Sequence, residues 1–237
     1  LSDGSVPIYF RGDLKSRTVK NEYKGIPYFT RAIPIDGTSV VVRTNNALIS
    51  ANILAFYKND TEKTVYKKDL LEKQVDGIFD TDGMLLYSEG LNRIIYVYYY
   101  RNEFLLADPN GNLDYRGNTI DTIKHVKFKV RSLKNDTERT LSSPSFIVNA
   151  QAGVYKNLLF IHSKIKGENE IDKLWKRSFI IDVYDLKKKS YILSFPVYHL
   201  EDQRLNSFIV TGDNLYALIN TNIVHYKLTD LIIKHIE

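Results

Sequence analysis

The chain has 237 residues, enough to bury a sizeable core in one domain or two, and its 17 Tyr and 11 Phe against one Trp and one Met suit pleated, half-buried strands. The absence of cysteine excludes disulfides and thiolate zinc sites and leaves the compartment open. The formal charge of +5 comes from 33 basic residues interleaved with 28 acidic ones, whereas a nucleic-acid reader would gather its excess on one stripe.

In chain order, the first candidate strand is Val6 to Leu14, which reads as part of a blade whose partners are missing. Alternation and turn chemistry then draft four blades. The first runs Tyr28 to Ile35, Asp36-Gly37, Ser39 to Thr44, Ile53 to Lys58 and Thr64 to Leu71. The second has Gly77 to Phe79 before Asp82-Gly83, then Met84 to Tyr87, Arg93 to Tyr100, Phe104 to Ala107 and Leu113 to Arg116. Within it Asn110-Gly111 is a hairpin signal whose two positions favour positive φ. His125 to Leu133 alternates, with Val126, Phe128 and Val130 on one face, and is either an extra strand or the innermost strand of the third blade. That third blade takes Ser145 to Tyr155, Leu158 to Ile165, Ser178 to Tyr184 and Ser190 to Val197. Lys187-Lys188-Lys189 falls at its last turn and reads as a solvated hairpin; Glu168 to Lys176 reads as a short helical turn. The fourth blade is Ser207 to Val210, Asn214 to Ile219, Ile223 to Leu228 and Ile232 to Ile236.

The aromatic-aliphatic third strands of these blades return one after another, as Ile53-Leu54-Ala55-Phe56-Tyr57, Glu103-Phe104-Leu105-Leu106-Ala107, Phe179-Ile180-Ile181-Asp182-Val183 and Ile223-Val224-His225-Tyr226. A recurring unit built of strands is the signature of an all-β fold, a β-propeller of four-stranded antiparallel blades. Residues 1–237 then form one propeller domain, truncated on its N-terminal side if the orphan strand belongs to a five- or six-bladed ring. The alternative is that Val6 to Leu14 completes the last blade. No stretch approaches the ~20 apolar residues of a membrane helix. A chain that opens at Leu1 reads as an exported protein whose leader was removed, or as a fragment.

The run Tyr96-Val97-Tyr98-Tyr99-Tyr100-Arg101-Asn102-Glu103-Phe104 and the subsequent Leu105-Leu106-Ala107-Asp108 and Thr119-Ile120-Asp121-Thr122 resemble TolB-like six-bladed propellers. Phe179-Ile180-Ile181-Asp182-Val183-Tyr184-Asp185-Leu186 with Tyr191-Ile192-Leu193-Ser194-Phe195 resembles them too. The resemblance covers residues 77 to 236 and rests on blade motifs. It implies export, in the manner of Bacteroidetes-type lipoproteins, to the periplasm or outer-membrane surface, with any lipid anchor lying outside the chain. It also implies a binding role.

Catalytic patterns are missing from the sequence. It has no Gly-x-Ser-x-Gly elbow and no phosphate-cradling glycine motif, and its five histidines show no ligand spacing. Neither a metal nor a cofactor is expected. Asp108-Pro109-Asn110-Gly111-Asn112 carries Leu113 where a calcium loop needs a glycine, so a hairpin explains it; Asp80-Thr81-Asp82-Gly83 is likewise a turn. Alternation in the Tyr run assigns its rings to packing between blades rather than to stacking on a ligand. Asp121-Thr122-Ile123 fits an O-glycosylation pattern of exported bacterial proteins, and Asn59-Asp60-Thr61 and Asn135-Asp136-Thr137 fit N-glycosylation sequons.

Loops between second and third strands share a face with the connections between blades. Three stand out: Arg101-Asn102, the insertion from Lys166 to Arg177, and Asn220-Thr221-Asn222. The insertion holds Trp175 beside Lys176 and Arg177, an aromatic with cations, as in interface hot spots. The leading expectation is therefore a non-enzymatic accessory subunit of an envelope complex, meeting a protein partner through Trp175, Lys176, Arg177, Arg101, Asn102 and Asn220. The alternatives are a channel binder of carbohydrate, or an enzyme, using Arg31, Arg101 and His162, and a sensor module of a longer protein.

Overall fold

The computed structural model describes residues 1–46, 51–127, 130–133, 138–141, 146–168, 170–199 and 203–237. Five antiparallel sheets and one hairpin account for the strands among them. The first sheet is three-stranded, β1 (Ser2–Asp3), β2 (Ile8–Asp13) and β3 (Thr18–Asn21). The second is β4 (Arg31–Pro34), β5 (Ser39–Asn46), β6 (Ala51–Lys58) and β7 (Lys63–Lys67). The third is β8 (Gly83–Ser88), β9 (Arg93–Tyr98), β10 (Glu103–Ala107) and β11 (Leu113–Asn118). After the hairpin β12 (Val130–Leu133) and β13 (Glu138–Leu141) comes the fourth, β14 (Asn149–Tyr155), β15 (Leu158–Ser163), β16 (Ser178–Asp185) and β17 (Ser190–Tyr198). The last is three-stranded, β18 (Leu205–Thr211), β19 (Asn214–Ile219) and β20 (Asn222–Lys227). Two short helices complete the described elements, α1 (Asp172–Lys176) between β15 and β16, and α2 (Asp230–Ile233) after β20.

Each sheet is a meander in which every strand pairs with the next in sequence, the topology of a propeller blade. Within the blades burial falls from the middle strands outward. All eight residues of β16 and all six of β15 are buried, whereas no residue of β7 is more than half-buried. Middle strands covered on both faces read as continuous apolar runs, which is why Leu158-Leu159-Phe160-Ile161 and Phe179-Ile180-Ile181 carry no polar alternation. Each such side chain contributes roughly 1.5–3 kcal/mol by leaving water.

The chain forms two compact units, residues 1–96 with 105–115, and residues 97–104 with 116–237. A core of the first gathers Tyr23, Ile26, Val40, Val42, Ala55 and Tyr57. Arg43 is buried there too, paired with Asp82 and 3.1 Å from the Tyr96 hydroxyl, which itself donates to the Thr81 carbonyl at 2.7 Å. The core of the second spans both of its terminal blades, from Phe160 and Ile181 to Phe208, Leu215 and Ile232.

Several expectations change. Val6 to Leu14 is no orphan: its strand pairs with β1 and β3 from the same N-terminal segment, giving a fifth sheet. Ile232 to Ile236 is no strand. Thr229 accepts from the amides of Ile232 and Ile233, and the chain turns into α2 with Ile232 in the core, so the last blade keeps three strands. Residues 77–79 form part of a turn, in which the buried Asp80 carboxylate accepts from the amides of residues 74–77. At Asn110-Gly111 only Gly111 has positive φ, at 76°. The Asp108 carboxylate accepts from the Asn110 and Asn112 amides, making the longer loop with one left-handed glycine. Of the expected His125 to Leu133 strand, residues 130–133 form β12, paired with β13 in a sheet of its own, and residues 128 and 129 lie outside the described residues. So does the sequon at 135–137.

Candidate functional site

One end of the second unit collects the β15–β16, β17–β18 and β19–β20 connections, and backbone bonds tie them together. The His199 amide donates to the Arg177 carbonyl (3.0 Å), and the Asn220 amide to the Arg204 carbonyl (2.9 Å).

The β15–β16 connection is built around α1. Asp172 sits in its first turn and Lys173 and Lys176 in its last, charges that oppose the helix dipole correctly. Lys166 Nζ reaches Asp172 at 2.5 Å, and Ser178 Oγ donates to the Leu174 carbonyl at 2.6 Å, closing the loop onto β16. Trp175 is half-buried on this helix, and Lys176 and Arg177 are exposed. The aromatic and both cations therefore stand together at the unit's surface.

Asn220 lies in the adjoining turn with φ of 50° and is exposed. Its polar groups are engaged with its neighbours, since Oδ1 accepts from the Arg204 amide (2.9 Å) and its carbonyl accepts from Asn206 Nδ2 (2.8 Å). It latches the β17–β18 connection to the β19–β20 turn.

Arg101 and Asn102 are placed inside the protein instead. Arg101, 1 % exposed, lies over the Tyr98 ring at 3.6 Å and pairs through Nε with Glu103 (3.1 Å), which also holds Arg116 (3.0 Å). Asn102 Nδ2 donates to the Asp121 carbonyl (2.6 Å), and its amide donates to the Ile123 carbonyl. Both side chains are spent on bonds within the fold, because the segment after β11 covers this short loop. The adjoining Asn149 Nδ2 donates to the Tyr98 and Arg101 carbonyls.

Of the channel candidates, Arg31 is exposed at the start of β4 in the first unit. His162 is buried in the second, and its Nδ1 has no hydrogen-bond partner among the described residues. Burial, with Lys164 and His199 adding, pulls its pKa down to about 3, so the ring is neutral. Phe179 meets it edge-on at 5.3 Å and stacks on His199 at 4.2 Å, an aromatic column that supports the loop-bearing end from beneath.

Beside that column lies a groove of about 370 Å³ lined by Tyr198, His199, Gln203, Ile219, Asn222, Val224 and Tyr226. Tyr226 Oη donates to the Tyr198 carbonyl (3.0 Å) across its floor. The sequence hid this feature, since its walls come from β17, β19 and β20; the signal present was the alternation of Val224 and Tyr226 on a strand that exposes Ile223 and His225. Among the described residues no group of three or more His, Asp or Glu is placed to hold a metal ion, and no helix is long and apolar enough to cross a membrane.

Blades of this kind, with their connections gathered at one end, define a β-propeller protein. No family model matches the sequence, and no curated protein does. Solved structures that it resembles include BamB from Moraxella catarrhalis, at 9% identity and a TM-score of 0.43, over 84% of this chain and 50% of that one. A member of the DUF4221 family from Bacteroides vulgatus matches at 12% identity and a TM-score of 0.44, over 84% and 63%. The β-propeller domain of the Trilobed protease from Pyrococcus furiosus matches at 10% identity and a TM-score of 0.45, over 93% and 74%. The chain thus spans half the length of the first and less than two thirds of the second.

Proposed function

We propose that this propeller is a non-enzymatic accessory subunit that binds a protein partner through the loop-bearing end of its second unit. The observation that carries the reading is the clustering there of a half-buried Trp175, the exposed cations Lys176 and Arg177, and an apolar groove rimmed by the exposed Tyr198. Aromatic and arginine side chains at the edge of a concave apolar surface are the residues on which interface energy concentrates. Arg101 and Asn102, being buried, serve the fold rather than this surface.

The resemblance of the Tyr96–Phe104 and Phe179–Leu186 runs to exported TolB-like propellers supports a partner in the cell envelope, met in the periplasm or at the outer membrane. A lipid anchor outside the chain would hold the protein there.

Capture of envelope proteins on the immobilised chain tests the reading. The double substitution Trp175→Ala and Arg177→Ala is expected to lower recovery of the partner by about tenfold, the scale of one or two hot-spot residues. Thermal melting should show the fold intact, because both side chains lie on a connection. Unchanged recovery would remove the site from this end.

A further inference from the structure

β20 is the third strand of its sheet, and no strand among the described residues pairs with its outer edge. The third strands β6, β10 and β16 each carry a fourth strand, β7, β11 and β17, on that edge, while β20 has β19 as its one neighbour among the described residues. Residues 228–237 do not supply the missing strand. After Lys227 the chain enters α2, and residues 235–237 are held away by the buried Asn157, which donates to the His235 carbonyl (2.8 Å) and accepts from the Glu237 amide (2.9 Å).

The bonding phase of the edge is set by the hairpin. Ile219 pairs with Asn222 across the two-residue turn, Ala217 with Val224 and Leu215 with Tyr226, and the Leu228 amide donates to the Asp213 carbonyl in the same phase. These are the hydrogen-bonded pairs of an antiparallel ladder, so the amides and carbonyls of the intervening Ile223, His225 and Lys227 point to the open edge. The edge lacks proline and bulge protection: β20 contains no proline, its register with β19 is regular, and Ile223 is 76% exposed, with Lys227 at its end as the one charged residue on the strand. Its other face, Asn222, Val224 and Tyr226, lines the groove, where an added strand would set alternate side chains against Tyr198 and Val224.

We propose that β20 is a strand-addition site, and that the partner contributes an extended segment which completes the last blade as its fourth strand. This deepens the partner-binding reading and rests on it. The segment's chemistry is set by the surfaces it meets: apolar residues toward the groove, alternating with polar ones, and a carboxylate opposite Lys227. That lysine is 73% exposed, and its counter-charge among the described residues is the half-exposed Asp213, at 3.3 Å. A second copy of this chain fits less well. Symmetric antiparallel pairing of β20 with itself would set His225 against His225 and Lys227 against Ile223, placing no carboxylate across the new pairing from either lysine.

The test uses the whole ¹⁵N-labelled chain and a short synthetic peptide in which valine alternates with threonine and one glutamate. Saturating peptide is expected to slow exchange of the Ile223, His225 and Lys227 amides by about tenfold or more, leaving β7 and β11 unaffected. N-methylation of the peptide amides that face β20 should abolish binding, and methylation of the alternate set should not. Lys227→Glu should weaken the glutamate peptide and strengthen its lysine counterpart. Unprotected amides, or equal binding of the two methylated peptides, overturns the proposal. His225→Pro removes one outward amide without touching the ladder to β19. If it leaves capture of the native partner intact while Trp175→Ala with Arg177→Ala abolishes it, strand addition falls and the partner-binding reading stands.

Discussion

Asp182 and His162 are buried diagonally across the β15–β16 register in the middle strands of one blade, where Asp182 pairs with Ile161 and His162 with Ile181. Burial raises the Asp182 carboxyl to about 6; Glu170 and Asp121 add to the rise, against the hydrogen bonds from Ser194 Oγ (2.5 Å) and Tyr184. Its folded pKa lies above the unfolded value of 3.8, so the stability it contributes at low pH is lost as pH climbs from about 4 through 6. His162 runs the other way. Its folded pKa of about 3 lies below 6.5, so stability is lost as pH falls from 6.5 toward 3. Between pH 4 and 6 each changes stability by about 1.4 kcal/mol per pH unit, with opposite signs, and the two slopes cancel. Urea unfolding of Asp182→Asn is therefore expected to show stability rising with pH across that window. The same variant should gain roughly 1–3 kcal/mol above pH 6, since about two pKa units of penalty vanish and a carbonyl still accepts from Ser194. A flat profile for the variant would mean that His162 is not held neutral by the fold across that window, and a rising profile in the unsubstituted protein would mean that Asp182 is already ionised there.

At the level of strands and helices, Gly117 shows how β11 closes over β10. A Cβ at that position would come within 2.3 Å of the Phe104 ring, so the ring occupies the space a side chain would take. Gly117→Ala must push Phe104 off its place beside Tyr184, 5.9 Å away, and is expected to cost about 1–3 kcal/mol in a urea titration. Most blade strands were legible because alternation and turn residues are local. Ser39 to Thr44, Asn214 to Ile219 and Ser190 to Val197 all fall within observed strands. The misreadings have nonlocal causes. Leu231-Ile232-Ile233 has the composition of a strand, but the Thr229-Asp230 start and the core pocket for Ile232 make it a helix. Arg101 and Asn102 have the polarity of an exposed loop, and only the later segment that carries Asp121 and Ile123 buries them. Trp175 could be picked from its own neighbours. The groove beside it could not, because Tyr198 and Tyr226 meet only after two blades have formed.

For the molecule as a whole, the charge balance bears on what kind of partner it can hold. A surplus of five positive charges would bind a polyanion well only if concentrated, and the surface pairs disperse it. Lys187 and Lys188 both reach Glu237, Arg93 is paired with Asp114, and Lys227 lies 3.3 Å from Asp213. Such exposed pairs add little stability, but each cancels a local cation that a phosphate would otherwise meet. The triple-lysine turn, the densest run in the sequence, is thereby partly neutralised by Glu237. Weak attraction to duplex DNA is expected at low salt, with an affinity that vanishes by about 0.15 M and a log–log salt slope of roughly one or two phosphates. Fluorescence anisotropy of a labelled duplex over a salt series measures it. A slope of about six or more, with binding retained at 0.15 M, would show a phosphate-tracking surface and move the partner from protein to nucleic acid. The shallow slope would leave the net positive charge as a long-range bias toward acidic protein surfaces.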